Sequence, residues 1–295
     1  MAYLFLNNNI IDVEHANISV QDRGFLYGDS LFETLRSYNG NIFNFEKHFS
    51  RLKGSSNILK IPLNYTCDKV REIINELLKK NNLLDAYIRI TLSRGVGSED
   101  LGFRISYNSS SRFPVFEPTF VVQVKPISVY SVELYKKGMS IIISKFRIST
   151  SCPIASHKTS NFLTNILAMD EASSTGAHEA ILLNTDGSVA EGACSSLFIV
   201  KDDTVITPGL NANILPGITR NTVLDICRNN GIPVKEESFG VDLLLKADEC
   251  FLTNSLMEIM AVSEINGTKI ENTIPGEKTK YLMLEYKKLS NNLAL

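Results

Sequence analysis

The hydrophobic and polar positions change period several times along the chain, and each change predicts an element. Val70, Ile73, Ile74, Leu77 and Leu78 recur at three- and four-residue spacing, which predicts an amphipathic helix over residues 68–81. Phe45, Phe49 and Leu52 predict another over 45–60, stopped before Pro62. The first 40 residues read instead as strands and tight turns. Asn7-Asn8-Asn9 is a turn, and Asn39-Gly40 follows a strand over 32–38, an Asn-Gly pair between apolar runs being a hairpin signal. Strands are expected over 86–93 and 119–124, the second preceded by a polar, proline-flanked loop over 108–118.

Further along, a strand is expected over 139–145 and a helix over 161–174. Strands over 179–184 and 188–191 flank an Asp186-Gly187 turn, and 196–200 with 204–207 reads as a hairpin. A helix over 218–229 opens after Pro216-Gly217, strands follow over 248–253 and 258–264, and a helix over 278–289 closes the chain. Hairpins mix with helices without a regular βαβ alternation, which argues for an α+β fold in two lobes. The boundary is placed near residues 126–136, giving a small N-terminal α+β domain (1–126), a linker (127–136) and a larger C-terminal domain (137–295).

Composition narrows the class. The 295 residues are 44% hydrophobic, enough for one large core or two ordinary ones. A net charge of -2 gives no basic excess for nucleic acid. Five scattered cysteines with no C-x-x-C pair suit a reduced, cytoplasmic protein and not a disulfide framework or zinc site. The N-terminus has no basic segment leading an apolar run, so no secretory signal is expected, and no stretch reaches the roughly 20 apolar residues of a membrane span. The four histidines lack ligand spacing and no G-x-S-x-G elbow exists, which argues against a metal site and a cofactor-free hydrolase, while a binding protein would be colourless and take up no cofactor.

A few segments carry candidate chemistry. In Ser156-His157-Lys158-Thr159-Ser160-Asn161, Lys158 is a candidate Schiff-base lysine, because burial disfavours its ammonium form and makes the amine nucleophilic. Glu191, before Gly192-Ala193-Cys194-Ser195-Ser196, needs a partner if buried, and a pyridinium nitrogen is one. Leu215-Pro216-Gly217-Ile218-Thr219-Arg220 opens a helix whose free N–H groups attract a phosphate, with the Thr219 hydroxyl added. Thr253-Asn254-Ser255 supplies further donors, and Arg51 a cation. Taken singly, each also has a plain structural reading: a solvated lysine, a hairpin glutamate, a capped Pro-Gly turn, a polar turn and a surface arginine.

Taken in order, these segments are similar to the fold-type IV (class IV) pyridoxal-phosphate enzymes, which include branched-chain and D-amino acid aminotransferases and 4-amino-4-deoxychorismate lyase. The landmarks are Asp22-Arg23-Gly24-Phe25-Leu26-Tyr27-Gly28-Asp29, Phe32-Glu33-Thr34, Arg51-Leu52, His157-Lys158-Thr159, Glu191-Gly192, Leu215 to Arg220, and Thr253-Asn254-Ser255-Leu256-Met257. The resemblance implies a two-domain α+β fold with pyridoxal 5'-phosphate in the interdomain cleft and a homodimer acting on small amino and oxo acids. It implies that Lys158 carries the cofactor and shuttles protons, and that Glu191 pairs with the pyridine nitrogen. Leu215 would pack on the ring, while Arg51, Ile218, Thr219, Asn254 and Ser255 would hold the phosphate. Tyr27, from the neighbouring subunit, Phe32 and Arg89 would lie near substrate. Phe162 stands where some members have a tyrosine bonded to the cofactor phenolate oxygen, so that partner is not identified.

The substrate is less constrained. Ile90 follows Tyr87-Ile88-Arg89 where branched-chain enzymes usually carry proline, and Val96-Gly97-Ser98-Glu99-Asp100-Leu101 lacks the Arg-x-His carboxylate trap of D-amino acid enzymes. Ser93-Arg94-Gly95-Val96-Gly97 and Asn254-Ser255-Leu256-Met257 are similar to the lyase and to transaminases of unassigned specificity. The expected activity is transamination, with the lyase reaction as the alternative.

Overall fold

The computed structural model describes residues 2–97, 116–128, 130–270 and 272–292 and divides them into two compact units. The first holds residues 2–97 and 116–128 together with 157–161; the second holds 130–156 and 162–292. The expected loop at 108–118 lies outside the described residues up to 115, as do Ser98, Glu99, Asp100 and Leu101.

The first unit runs β1 (Tyr3–Leu6), β2 (Asn9–Asp12), α1 (Arg23–Tyr27), β3 (Ser30–Tyr38), β4 (Asn41–Ile42), α2 (Phe45–Ile58), α3 (Cys67–Lys80), β5 (Ala86–Val96) and β6 (Glu117–Pro126). Its strands form one antiparallel sheet in the order β2-β1-β6-β5-β3-β4. Alternation sends Leu31 and Leu35 of β3, Ile88 and Ile90 of β5, and Phe120 and Val122 of β6 into one core with α2 and α3. Helix α3 begins on the Thr66 side chain, which accepts from Lys69 N–H, and buries the five apolar residues that predicted it. The short helix α1 interrupts the stretch expected to be only strands and turns. It exists because the Asp22 carboxylate accepts from Gly24 N–H, Ser93 Oγ and Thr119 Oγ1, a cap whose partners lie far away in sequence.

The second unit runs α4 (Val132–Lys137), β7 (Met139–Ile148), α5 (Leu163–Ser174), β8 (Glu179–Asn184), β9 (Val189–Gly192), β10 (Ser196–Lys201) and β11 (Thr204–Thr207). It continues with α6 (Ile218–Asn229), β12 (Val234–Glu236), α7 (Val241–Leu245), β13 (Glu249–Asn254), β14 (Glu258–Ile265), β15 (Thr268–Lys269) and α8 (Glu277–Asn292). The strand path is β12-β11-β10-β13-β14-β7-β8-β9, with β15 paired to β14. The pairs β7–β8, β7–β14 and β11–β12 are parallel and the rest antiparallel. Two βαβ crossovers, β7–α5–β8 and β11–α6–β12, therefore sit inside a mainly antiparallel sheet. A 12-residue helix in each connection permits this, since a parallel pair needs a long connection. The fold is α+β, two units each built on its own sheet.

Among the described residues no helix is long and apolar enough to cross a membrane, and no group of ligands could hold a metal ion. The five cysteines are free thiols.

Leu77 is fully buried in α3 at the centre of the first core. Leu77→Ala should cost about 2–5 kcal/mol in urea unfolding, because the removed methyl groups leave a cavity that the sheet cannot collapse into. A loss below about 1 kcal/mol would show that this core is not close-packed there.

Candidate active site

In the first unit, the segment 157–161 fastens to the open side of β3. Phe32 N–H donates to Lys158 O at 2.9 Å, Ser160 N–H donates to Ser30 O at 3.0 Å, and Leu31 and Thr159 form an antiparallel bridge. Asn161 Nδ2 donates to Gly28 O at 3.0 Å, and Ser55 Oγ lies 3.0 Å from His157 Nδ1. The backbone of Lys158 is thus fixed as if it were part of the sheet. Its Nζ stands 4.4 Å from the Phe32 ring centroid, and the Arg89 guanidinium carbon 4.1 Å from the same centroid. Three of the expected site residues, Phe32, Arg89 and Lys158, are therefore brought together. Tyr27, at the end of α1, is exposed, with the Arg23 guanidinium near its ring.

The other face of β3 carries Glu33, which is 1% exposed. Arg51 grips it with a planar fork, Nε donating to Oε1 at 2.8 Å and Nη2 to Oε2 at 2.7 Å. His48, three residues earlier on α2, places Nδ1 2.7 Å from Oε2. Burial alone would raise the Glu33 carboxyl, but Arg51 and His48 together overcome it and hold it at about 2. His48 is pushed down, first by burial and then by the nearby Arg51 and Lys158 cations, with Glu33 opposing. A neutral imidazole donating Nδ1–H to an ionised Glu33 satisfies all three groups. Arg51, expected to reach a phosphate, thus has Nε and Nη2 committed to Glu33.

In the second unit, Glu191 on β9 is half-buried, and Leu215 N–H donates to its two carboxylate oxygens at 3.4 and 3.3 Å. Helix α6 begins at Gly217 with no side-chain cap. Its first N–H groups are left without a capping side chain, and the dipole makes that end attractive to an anion. Ile218 and Thr219 are buried at the same end. A Cβ on Gly217 would come 2.7 Å from Ser196 Oγ, so glycine is required for the strand hydroxyl to approach the helix start. Ser196 and Thr253 sit opposite each other on β10 and β13, and Thr253 Oγ1 is buried with no partner among the described residues. An uncapped helix start beside two hydroxyls, one of them orphaned, fits a phosphate group.

The sequence reading missed Ser196 as a donor, because the face it shares with Thr253 appears only when β10 pairs with β13. It also gave no role to Glu33 or His48. Asn254 is more structural than expected: Nδ2 donates to Cys194 O at 3.2 Å, and Oδ1 accepts from Leu256 and Met257 N–H at 3.0 and 2.8 Å. Ser255 is half-buried in the same turn. Arg220, next to the phosphate-type loop, is buried and tied to Pro208 O at 2.7 Å and Glu236 at 2.9 Å.

Comparison with known proteins places this arrangement in a family. The family model for amino-transferase class IV matches residues 30–265. The chain is 35% identical over 284 residues to a putative branched-chain-amino-acid aminotransferase of Methanocaldococcus jannaschii, covering 96% of this chain and 95% of that one. It is 32% identical to a D-alanine aminotransferase of Staphylococcus epidermidis, covering 98% of each, and 31% identical to an aminodeoxychorismate lyase of Bacillus subtilis, covering 98% and 95%. Among solved structures, the branched-chain amino acid aminotransferase of Escherichia coli superposes with a TM-score of 0.89 at 28% identity, covering 98% of this chain and 94% of that one. The chain belongs to the class IV aminotransferases, and it is an enzyme of that class.

The Glu33 cluster yields a pH prediction. Its carboxyl sits at about 2 in the fold against an ordinary 4.5. The stability it contributes is complete above 4.5 and is lost as the pH falls towards about 2, because only the unfolded chain takes up the proton in that window. The loss is on the order of 3 kcal/mol. Glu33→Gln should remove this part of the acid sensitivity while costing about 3–5 kcal/mol at pH 7, since Arg51 is left without its counter-charge. Urea unfolding at pH 7 and pH 3 measures both, and an unaltered pH difference in the variant would refute the assignment.

Proposed function

We propose that the chain is a pyridoxal-phosphate-dependent aminotransferase that moves an amino group between an amino acid and a 2-oxo acid, with Lys158 as the amine that binds the cofactor's aldehyde. The observation that carries this reading is the main-chain pinning of Lys158 to β3, which fixes where a long, flexible side chain can deliver its amine. When bound, pyridoxal phosphate supplies an electron sink that draws density from the substrate's alpha carbon.

The chain's own residues supply the rest. Glu191 is proposed to keep a proton on the pyridine nitrogen, its carboxylate oriented by Leu215 N–H. The N–H groups of Ile218 and Thr219, with the hydroxyls of Thr219, Ser196 and Thr253, hold the phosphate, and Ser255 stands in the same polar turn as Asn254. Leu215 packs on the ring. Arg51 contributes positive potential from its bond with Glu33 and fixes α2 beside the Lys158 segment. With the cofactor bound, Lys158 would serve as the base that takes the proton from the substrate's alpha carbon and as the acid that gives it back. Phe32, Arg89 and Tyr27 belong to the substrate side.

The reading includes a homodimer. Ile18, Val20, Phe25, Leu26 and Tyr27 expose apolar side chains within one short stretch of the first unit, Phe25 to 74%. A sedimentation mass of one chain would count against it.

Purified protein should absorb visible light, and borohydride should fix the chromophore to Lys158. Lys158→Ala should lower turnover at least about a hundredfold. An amino acid alone, L or D, should convert the cofactor to its pyridoxamine form. Silence with every donor, together with release of pyruvate and 4-aminobenzoate from aminodeoxychorismate, would favour the lyase reaction; full activity of Lys158→Ala would overturn both.

A further inference from the structure

Glu179 opens β8 and is 5% exposed, yet it makes no ion pair among the described residues. Its oxygens accept instead from Ala180 N–H at 3.1 Å and from Ser195 Oγ at 3.1 Å. The nearby amides of Cys194 and Ala193 favour its charged form, the Ala193 N–H itself donating to Ala180 O at 2.8 Å. Every one of these groups except Ala180 lies in the turn that leads from Glu191 on β9 to Ser196 on β10. Burial is the largest influence on the carboxyl and pushes it up to about 7 against those bonds. Tyr130 and Cys194 are its titratable neighbours, and the Tyr130 phenol is itself raised, first by burial and then by Glu179.

The turn is otherwise tightly tied. Gly192 N–H donates to Ser195 O at 2.8 Å, and Asn165 Nδ2 donates to Ala193 O at 2.8 Å. A Cβ on Gly192 would stand 2.2 Å from Ser195 Oγ and 3.4 Å from Glu179 Cδ, so the turn closes directly on the carboxyl. An apolar residue would fill this space without the cost of burying an acid. A buried acid with no ion pair among the described residues, bonded to one turn, points to a functional role.

We propose that Glu179 is a positioning residue for the cofactor: its carboxyl holds Ser195 and the turn at 192–195, and so sets where Glu191 and Ser196 stand. The proposal rests on the roles assigned to Glu191 and Ser196 above. Both residues are ends of the braced turn, so a slack turn would move a ring partner and a phosphate donor together.

The test is titration of the cofactor-free protein with pyridoxal phosphate, read by visible absorbance across pH, with melting temperature in parallel. Glu179→Ala should weaken binding at least about tenfold and shift the pH at which the chromophore titrates. Glu179→Gln should stay within about threefold of the wild type, because an amide can still accept from Ala180 and donate to Ser195. Ser195→Ala should move in the direction of Glu179→Ala by less. Wild-type binding and spectrum in Glu179→Ala, a lowered melting temperature alone, or equal losses in the Ala and Gln variants would overturn the proposal. If Glu179→Ala does not fold, unchanged binding by Ser195→Ala overturns it. Wild-type protein that takes up no pyridoxal phosphate refutes the functional reading itself and the proposal with it, whereas normal wild-type binding with unaffected variants refutes only the brace.

Discussion

The main-chain bonds that join residues 158–160 to β3 are the constraint on which the rest of the first unit's site depends. A lysine side chain has four soft torsions, and only a fixed backbone limits where its amine can go. Backbone bonds supply that anchor whatever side chains surround it. The same strand carries Phe32 on one face and Glu33 on the other. A slip of one residue in the β3–β5 register would exchange them, sending an aromatic ring to Arg51 and a carboxylate towards Lys158. The apolar partners Leu31 and Leu35 oppose that slip, since both would leave the core.

Two buried glutamates show how environment decides the charge of identical side chains. Glu33 is held at about 2 because Arg51 and His48 outweigh its burial, whereas Glu179, with hydrogen bonds but no cation partner among the described residues, is driven to about 7. The first behaves as a fixed anion that steadies Arg51 and α2. The second changes charge near neutrality and bonds to a turn. Arg220 is a third case: its buried guanidinium meets a carbonyl and Glu236, so the arginine of the phosphate-type loop braces the loop from behind.

Much of the architecture was legible along the chain. The faces of α3 followed from apolar periods, the helix at 218–229 from its Pro216-Gly217 opening, and the hairpins around Asn39-Gly40 and Asp186-Gly187 from turn chemistry. The parallel pairings of β7 with β8 and β14 were not, because strand direction is set by which edge a crossover returns to. Helix α4 lies almost wholly in the expected linker, its six residues too few to show a period and its start resting on a Ser131 cap. Lys158 and Glu191 stood out as chemistry, whereas the bonds from Arg51 to Glu33 and from Asn254 to Cys194 O join groups that no local pattern pairs.

The sequence by itself determined the periods, the turns, and the order of landmark segments that mark the class IV family. These depend on neighbours within a few residues or on patterns that survive without knowledge of partners. Tertiary structure alone decided which polar groups meet. Ser55 faces His157 across 102 positions, and Thr253 finds itself beside Ser196 through strand pairing. Hydrogen bonds act over about 3 Å in space and carry no record of separation along the chain, so no local pattern announces them.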